Sequence, residues 1–188
     1  MQKGLIGMDQ KIFENKKNKR KLEYLLFLGF CAVFIFITKA LLRLHLNIPG
    51  HSMLFLIFFL MLSSRCVPFF FSATICSILA GSMAIMFGMG KGGPLILLKF
   101  IMPAFVIDIM SYLIPNFDQK IKTCILISTV ASSTKFISTY IVDYLIGMDQ
   151  EILLYHAFIK SIGAIFFGIL GSLMIPVVIS RLKAYDIL

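Results

Sequence analysis

Charged side chains are scarce in this chain: Asp, Glu, Lys and Arg make up 14% of its 188 residues, against 59% apolar. A water-soluble domain of that length must cover itself with polar groups, and too few exist here to do so. Carboxylates are scarcer still. Of the nine acidic residues only Asp108 and Asp143 fall inside apolar runs, a poor supply for a membrane enzyme that works with two carboxylates or two metal ions. H-E-x-x-H, G-x-S-x-G and G-x-G-D patterns are all missing. The four cysteines (Cys31, Cys66, Cys76, Cys124) are scattered and form no C-x-x-C pair, so they supply neither a disulfide framework nor a metal knuckle. Small apolar filler is the role left to them. No A-x-A site follows the first apolar run, which exceeds a signal-peptide core and reads as a retained span. The chain is thus expected to be no enzyme and to carry no cofactor.

What is present is a series of apolar runs, several near the roughly 20 residues that carry a helix across about 30 Å of hydrocarbon. They predict an all-α polytopic membrane protein, a compact bundle of six transmembrane helices. The spans are Tyr24–Leu42, Ser52–Ser64, Pro68–Gly88, Pro94–Ile114, Ile121–Ile146 and Ile152–Ile179. A basic cytoplasmic tail (residues 1–23) precedes the transmembrane domain (24–180), and a short cytoplasmic tail (181–188) follows it. The second span is short for a crossing and gains length if its helix starts near Leu46 and bends at Pro49. Charge placement decides its status. With six crossings, the tail residues Lys3, Lys11, Lys16, Lys17, Lys19, Arg20 and Lys21 share one side with Arg65, Lys120, Lys122, Arg181 and Lys183. Only Arg43 and Lys91 lie opposite. The positive-inside bias then puts both termini in the cytoplasm. It also accounts for the net charge of +9 without nucleic acid, since no aromatics interleave the basic cluster. The hexapeptide LIGMDQ occurs at Leu5–Gln10 and again at Leu145–Gln150, on opposite sides in this topology, so no shared role is expected.

The stretch FGMGKGGPLILLKF (Phe87–Phe100) contains G-x-G-x-x-G at Gly88, Gly90 and Gly93. A dinucleotide fingerprint needs a short buried strand before it and a βαβ unit around it, and here a membrane-length run precedes it. It fails as a P-loop too: Gly92 follows Lys91 where Ser or Thr belongs, and Ile85 stands where the first Gly belongs. The glycines are expected to make a tight external turn, with Pro94 in the first turn of the fourth span. The free N–H groups of that helix start, beside Lys91, carry a weak preference for anions.

Ionisable groups inside a bilayer are costly and mark functional candidates. Here they are Lys99 and Asp108 in span four, Lys135 and Asp143 in span five, and His156 and Lys160 in span six, with Lys39 placed to snorkel at the outer end of span one. At 100° per residue, Ser128, Ser132, Lys135, Thr139 and Asp143 fall within an arc of about 80°, a polar stripe that must meet helices or water. Hydrogen bonding between helices is one reading of it; the central lysine points to a ligand-facing or ion-paired one. His156 and Lys160 share a face one turn apart, where an interfacial histidine without a ligand is the alternative. Lys99 and Asp108 lie about 180° apart on a straight helix and should not pair. Pro103 frees the carbonyl of Lys99, which suits either a polar pocket or a bend made for packing. Small residues at four-residue spacing (Ala73, Ser77, Gly81; Ala80, Ala84, Gly88; Ala164, Gly168, Ser172) let helices approach closely, within the chain or in a partner.

Six short spans, a basic tail and no nucleotide site resemble the substrate-binding (S) subunits of energy-coupling factor (ECF) transporters. The segments LHLNIPGHSMLF (Leu44–Phe55) and ILAGSMAIMFGMGKGGPLILLKFIMPAFVIDI (Ile78–Ile109) carry the local likeness. HLNIPGH is faintly similar to the His and Pro-Gly segments of the cobalt/nickel-type members, although their metal-binding histidine is at the extreme amino terminus. The A-x-x-x-A pattern with which many such subunits dock is missing from span one, which has Ala32 and Ala40. The resemblance implies an outward-facing pocket made by the loop after span one and the outer halves of spans four to six. That pocket draws on Asn47, His51, Lys91, Lys99, Lys135, Thr139, Asp143, His156 and Lys160. It further implies capture of a micronutrient (a vitamin, cofactor precursor or metal), with the lysines favouring an anionic solute. Implied partners are a coupling transmembrane (T) subunit and two ATP-binding cassette ATPases, in the bacterial cytoplasmic membrane; no protein metal site is implied. The other functional classes are a non-catalytic membrane assembly subunit and a small membrane enzyme acting on a lipid.

Overall fold

The computed structural model describes residues 2–45, 50–89, 93–115 and 117–184, and all regular structure among them is helical. Six α-helices succeed one another: α1 (Gln2–His45), α2 (Ser52–Cys66), α3 (Ser72–Met86), α4 (Ile96–Leu113), α5 (Ile121–Leu145) and α6 (Gln150–Ala184). Short 3₁₀ turns at Gly93–Leu95 and Phe117–Gln119 lead into α4 and α5. One helix forms from each apolar run. Segments of α1, α5 and α6, and of α4 with the turn before it, are long and apolar enough to cross a bilayer. The expected early start and bend of α2 fall on residues 46–49, outside the described residues.

At 15 residues each, α2 and α3 reach only about 22 Å at 1.5 Å per residue, less than a hydrocarbon core. For α2 the packing explains why that suffices. It lies against α1, α3, α4 and α6 and buries Met53, Leu56, Ile57, Leu60, Met61, Leu62 and Ser63. Helix ends at membrane depth are tolerable where protein rather than lipid surrounds them.

Glycine allows the closest approaches. A Cβ on Gly50 would stand 2.3 Å from the backbone carbon of Gly163, and one on Gly171 would stand 2.3 Å from the Leu54 carbonyl oxygen; the two contacts join α2 and the turn before it to α6. On the other side of α6, a Cβ on Gly168 would meet Ser132 Oγ at 2.1 Å. In α3, Ala73, Ser77, Ala80, Gly81 and Ala84 are buried, with Leu97 of α4 over Gly81. Gly88, which belongs to the same spacing, is exposed. The small-residue stripes are thus largely spent inside the chain.

Two buried carboxylates organise the end of the bundle where α2 stops and α3 starts. Asp108 of α4, 2% exposed, accepts from Ala73 N–H (3.1 Å), Thr74 N–H (2.8 Å) and the Thr74 hydroxyl (2.7 Å). It therefore caps the amino terminus of α3 from a neighbouring helix, where free N–H groups and the helix dipole both favour a negative charge. Asp118, 4% exposed, accepts from Lys183 Nζ at 2.7 Å, and Arg65 Nε lies 2.9 Å from its other oxygen without hydrogen-bond alignment. These two ion pairs tie the ends of α2 and α6 to the α4–α5 turn.

At the opposite end, α3 and α5 finish alike. Gly88 (φ +64°) and Gly147 (φ +86°) adopt the left-handed conformation. The next amides, Met89 N–H and Met148 N–H, bond back to Ala84 and Asp143 carbonyls at 2.8 and 3.2 Å. Both are Schellman turns, which glycine permits without steric cost. The second LIGMDQ copy is this turn, whereas the first lies within α1.

Candidate functional site: a lysine-rich cavity

The antiparallel order gathers the starts of α2, α4 and α6 and the ends of α1, α3 and α5 at one end of the bundle, around a cavity of about 700 Å³. Gly50, Ser52 and Met53 line it, so the short α2 offers its end to the cavity. Lys135 and Lys160 each stand ten residues from the helix boundary at that end, about 15 Å along α5 and α6.

Six residues expected from the sequence line this one cavity: Lys99, Lys135, Thr139, Asp143, His156 and Lys160. Asp143 is the hub. Lys99 Nζ donates to its Oδ1 at 3.1 Å, and His156 Nδ1 lies 2.9 Å from its Oδ2. The carboxylate is 5% exposed and joins α4, α5 and α6. Lys135 is within electrostatic reach of Lys99, Lys160 and Asp143, yet forms no ion pair among the described residues. Lys99, Lys135 and Lys160 thus lie close together, with Asp143 the one carboxylate among the described residues that line the cavity. Like charges in a low-dielectric setting repel, and an added anion relieves that repulsion.

The α5 stripe divides in two. Lys135, Thr139 and Asp143 face the cavity, whereas Ser128 and Ser132 press against Gly168 of α6. The first half is close packing instead of the hydrogen bonding between helices that the sequence suggested, since the Ser128 and Ser132 hydroxyls have no partner among the described residues; in the second half Asp143 is ion-paired. Lys99 and Asp108 do not pair: one serves the cavity, the other the α3 cap. His51 stands beside the cavity, with Nε2 3.1 Å from the Leu42 carbonyl oxygen. Asn47 and Lys91 lie outside the described residues, as does Gly90; Gly93 has φ +53°, and Pro94 sits in the 3₁₀ turn.

Lys39 corrects an expectation. Instead of reaching outward to an interface, it turns inward over the Phe100 ring, 3.4 Å from the centroid, and lines the cavity. Phe100 is fully buried, and the face of its ring attracts the ammonium. The sequence reading also missed the apolar lining of Met53, Met89, Ile96, Ile146 and Met148. Two of those five follow the positive-φ glycines, the one local signal for them.

Among the described residues no three His, Cys, Asp or Glu side chains come together as a metal site would require. Among the described lining residues are one carboxylate, one imidazole and four lysines, a set whose chemistry suits an anion. No protein-family model, curated protein or solved structure matches the chain.

Proposed function

We propose that the chain is the membrane-embedded substrate-capture subunit of an ECF-type importer, taking an anionic micronutrient from outside the cell. The observation that carries the binding reading is the cavity itself: about 700 Å³, lined by Lys99, Lys135 and Lys160 together with Asp143, the one carboxylate among its described lining residues. In this reading all six helices cross the bacterial cytoplasmic membrane, both termini are cytoplasmic and the cavity opens outward. The positions of Arg65, Lys120, Lys122, Arg181 and Lys183 at the far end support that orientation. ATP hydrolysis belongs to partners: a coupling transmembrane subunit and two ATP-binding cassette ATPases.

A second reading, a non-catalytic assembly subunit, draws on an apolar groove of about 470 Å³ between α1 and α3, lined by residues such as Leu22, Leu25, Gly29, Leu79 and Met83. Titration of candidate anions onto the purified protein, beside a Lys135→Ala, Lys160→Ala double variant, tests the capture reading. It predicts binding that the double variant loses. Retained binding in the variant sinks it, and co-purification with other membrane subunits without any ligand favours assembly.

A further inference from the structure

The lining of the cavity has two chemistries. Lys99, Lys135, Lys160 and Thr139 make a cationic wall on α4–α6, and the side chains of Met53, Met89, Ile96, Ile146 and Met148 supply an apolar one. Thr139 is distinctive. Along α5, Thr129, Ser133, Thr134 and Ser138 each donate to a carbonyl three or four residues back. The Thr139 hydroxyl, on a residue 1% exposed, has no hydrogen-bond partner among the described residues. The unpartnered hydroxyls of Ser128 and Ser132 are accounted for by the tight contact with Gly168, whereas Thr139 is one of the residues that line the cavity, its hydroxyl buried in the wall. A buried donor without a partner is costly unless something arrives to accept from it.

Lys135 is the neighbouring group in want of an anion. It lies one turn deeper on the same face, and the Asp143 carboxylate that could have neutralised it is engaged by Lys99 and His156. A compact inorganic anion would satisfy this corner and leave the rest of a roughly 700 Å³ space to water; organic ligands occupy sites of about 300–1,000 Å³. Flexible methionine side chains, two of them set by the Schellman turns, suit an apolar body of irregular shape.

We infer that the cavity selects an amphipathic organic anion from the aqueous phase, its carboxylate or similar compact anionic group held by Lys135 and Thr139 and its apolar body against Met53, Met89 and Ile96. This assignment rests on the anion-capture reading above and narrows it.

Reductive trapping separates the two. The full chain in nanodiscs of zwitterionic lipid is exposed, with cyanoborohydride, to 4-formylbenzoate, to glyoxylate or to uncharged 4-methylbenzaldehyde. Mass spectrometry then compares labelling of the cavity lysines (Lys39, Lys99, Lys135 and Lys160) with that of exposed Lys120 and Lys122. The assignment predicts a cavity-to-surface ratio at least about tenfold higher for 4-formylbenzoate than for either other aldehyde. It also predicts a several-fold fall for Thr139→Val, with labelling of Lys120 unchanged. If glyoxylate equals 4-formylbenzoate, the apolar body is irrelevant: the narrower assignment falls and anion capture stands. Equal labelling by 4-methylbenzaldehyde would overturn both, because charge is then not recognised. Unchanged trapping in Thr139→Val removes the hydroxyl from the assignment. Loss of trapping when phosphatidylglycerol is added to the nanodiscs overturns the aqueous source and gives the site to a lipid headgroup.

Discussion

Three glycines separate the costs that hold the cavity wall in place. Gly88 has φ +64° and nothing within 4 Å of an added methyl, so Gly88→Ala meets only left-handed strain, about 1 kcal/mol. Gly171 has no such φ, but its Cβ would stand 2.3 Å from the Leu54 carbonyl oxygen, so Gly171→Ala meets only overpacking, about 1–3 kcal/mol. Gly50 combines the two: φ +91°, and a Cβ 2.3 Å from the Gly163 carbon, in backbone that has no rotamer to change. Gly50→Ala should therefore cost about 2–4 kcal/mol. The gain from a stiffer unfolded chain is common to all three and cancels in the comparison. At about 2–4 °C per kcal/mol for a chain of this size, Gly88→Ala should melt about 2–4 °C below the parent and Gly50→Ala about 4–16 °C below. Cys31, Cys76 and Cys124 are buried free thiols, so heating in the presence of a fluorogenic maleimide reads unfolding directly. Because Gly50 and Met53 line the cavity, Gly50→Ala should also weaken anion binding, while Gly88→Ala leaves it within about twofold. A Gly50→Ala protein that melts with Gly88→Ala would refute the close α2–α6 contact and the cavity wall built on it.

Other perturbations follow from the buried carboxylates and from the orientation. Asp108→Ala strips three hydrogen bonds from the start of α3 and should cost about 3 kcal/mol in the same thiol assay, against about 1 kcal/mol for Thr74→Val. Asp118→Asn should cost only about 1–2 kcal/mol, since side chains of Arg65 and Lys183 are 28% and 43% exposed and remain partly solvated without it. With Cys66 replaced by Ser, a cysteine at position 91 should react with an impermeant maleimide on intact cells and one at position 120 should not; the reverse pattern would invert the proposed orientation.

The helix count was legible because six separate apolar runs leave one helix each, and the polar face of α5 was legible because its five residues recur at helical spacing. What escaped depended on partners distant in sequence. The start of α3 at Ser72 instead of Pro68 reflects a cap supplied by Asp108, 36 residues on, which no local pattern announces. The inward turn of Lys39 depends on Phe100, 61 residues away, offering its ring. Periodicity placed Ser128 and Ser132 on the same face as Lys135, but only the position of Gly168 divides that face into a packed half and a cavity half. Gly88 was expected in a turn, whereas Gly147 drew no such reading; that each would set a methionine into the cavity needed the helices' mutual packing. In the other direction, the small-residue stripes had two readings in sequence, and the contacts of Gly81 and Gly168 with the burial of Ala73, Ser77, Ala80, Ala84, Ala164 and Ser172 assign most of them to packing within the chain.

The most direct test of the central claim asks what the protein carries when it leaves the membrane. Purification in mild detergent, followed by denaturation and mass spectrometry of the released small molecules, should yield an organic anion enriched at least about tenfold over the Lys135→Ala, Lys160→Ala variant, provided both proteins melt alike. Recovery of the same molecules at the same level from both, or of only uncharged or cationic species from the parent, would contradict anion capture by this cavity.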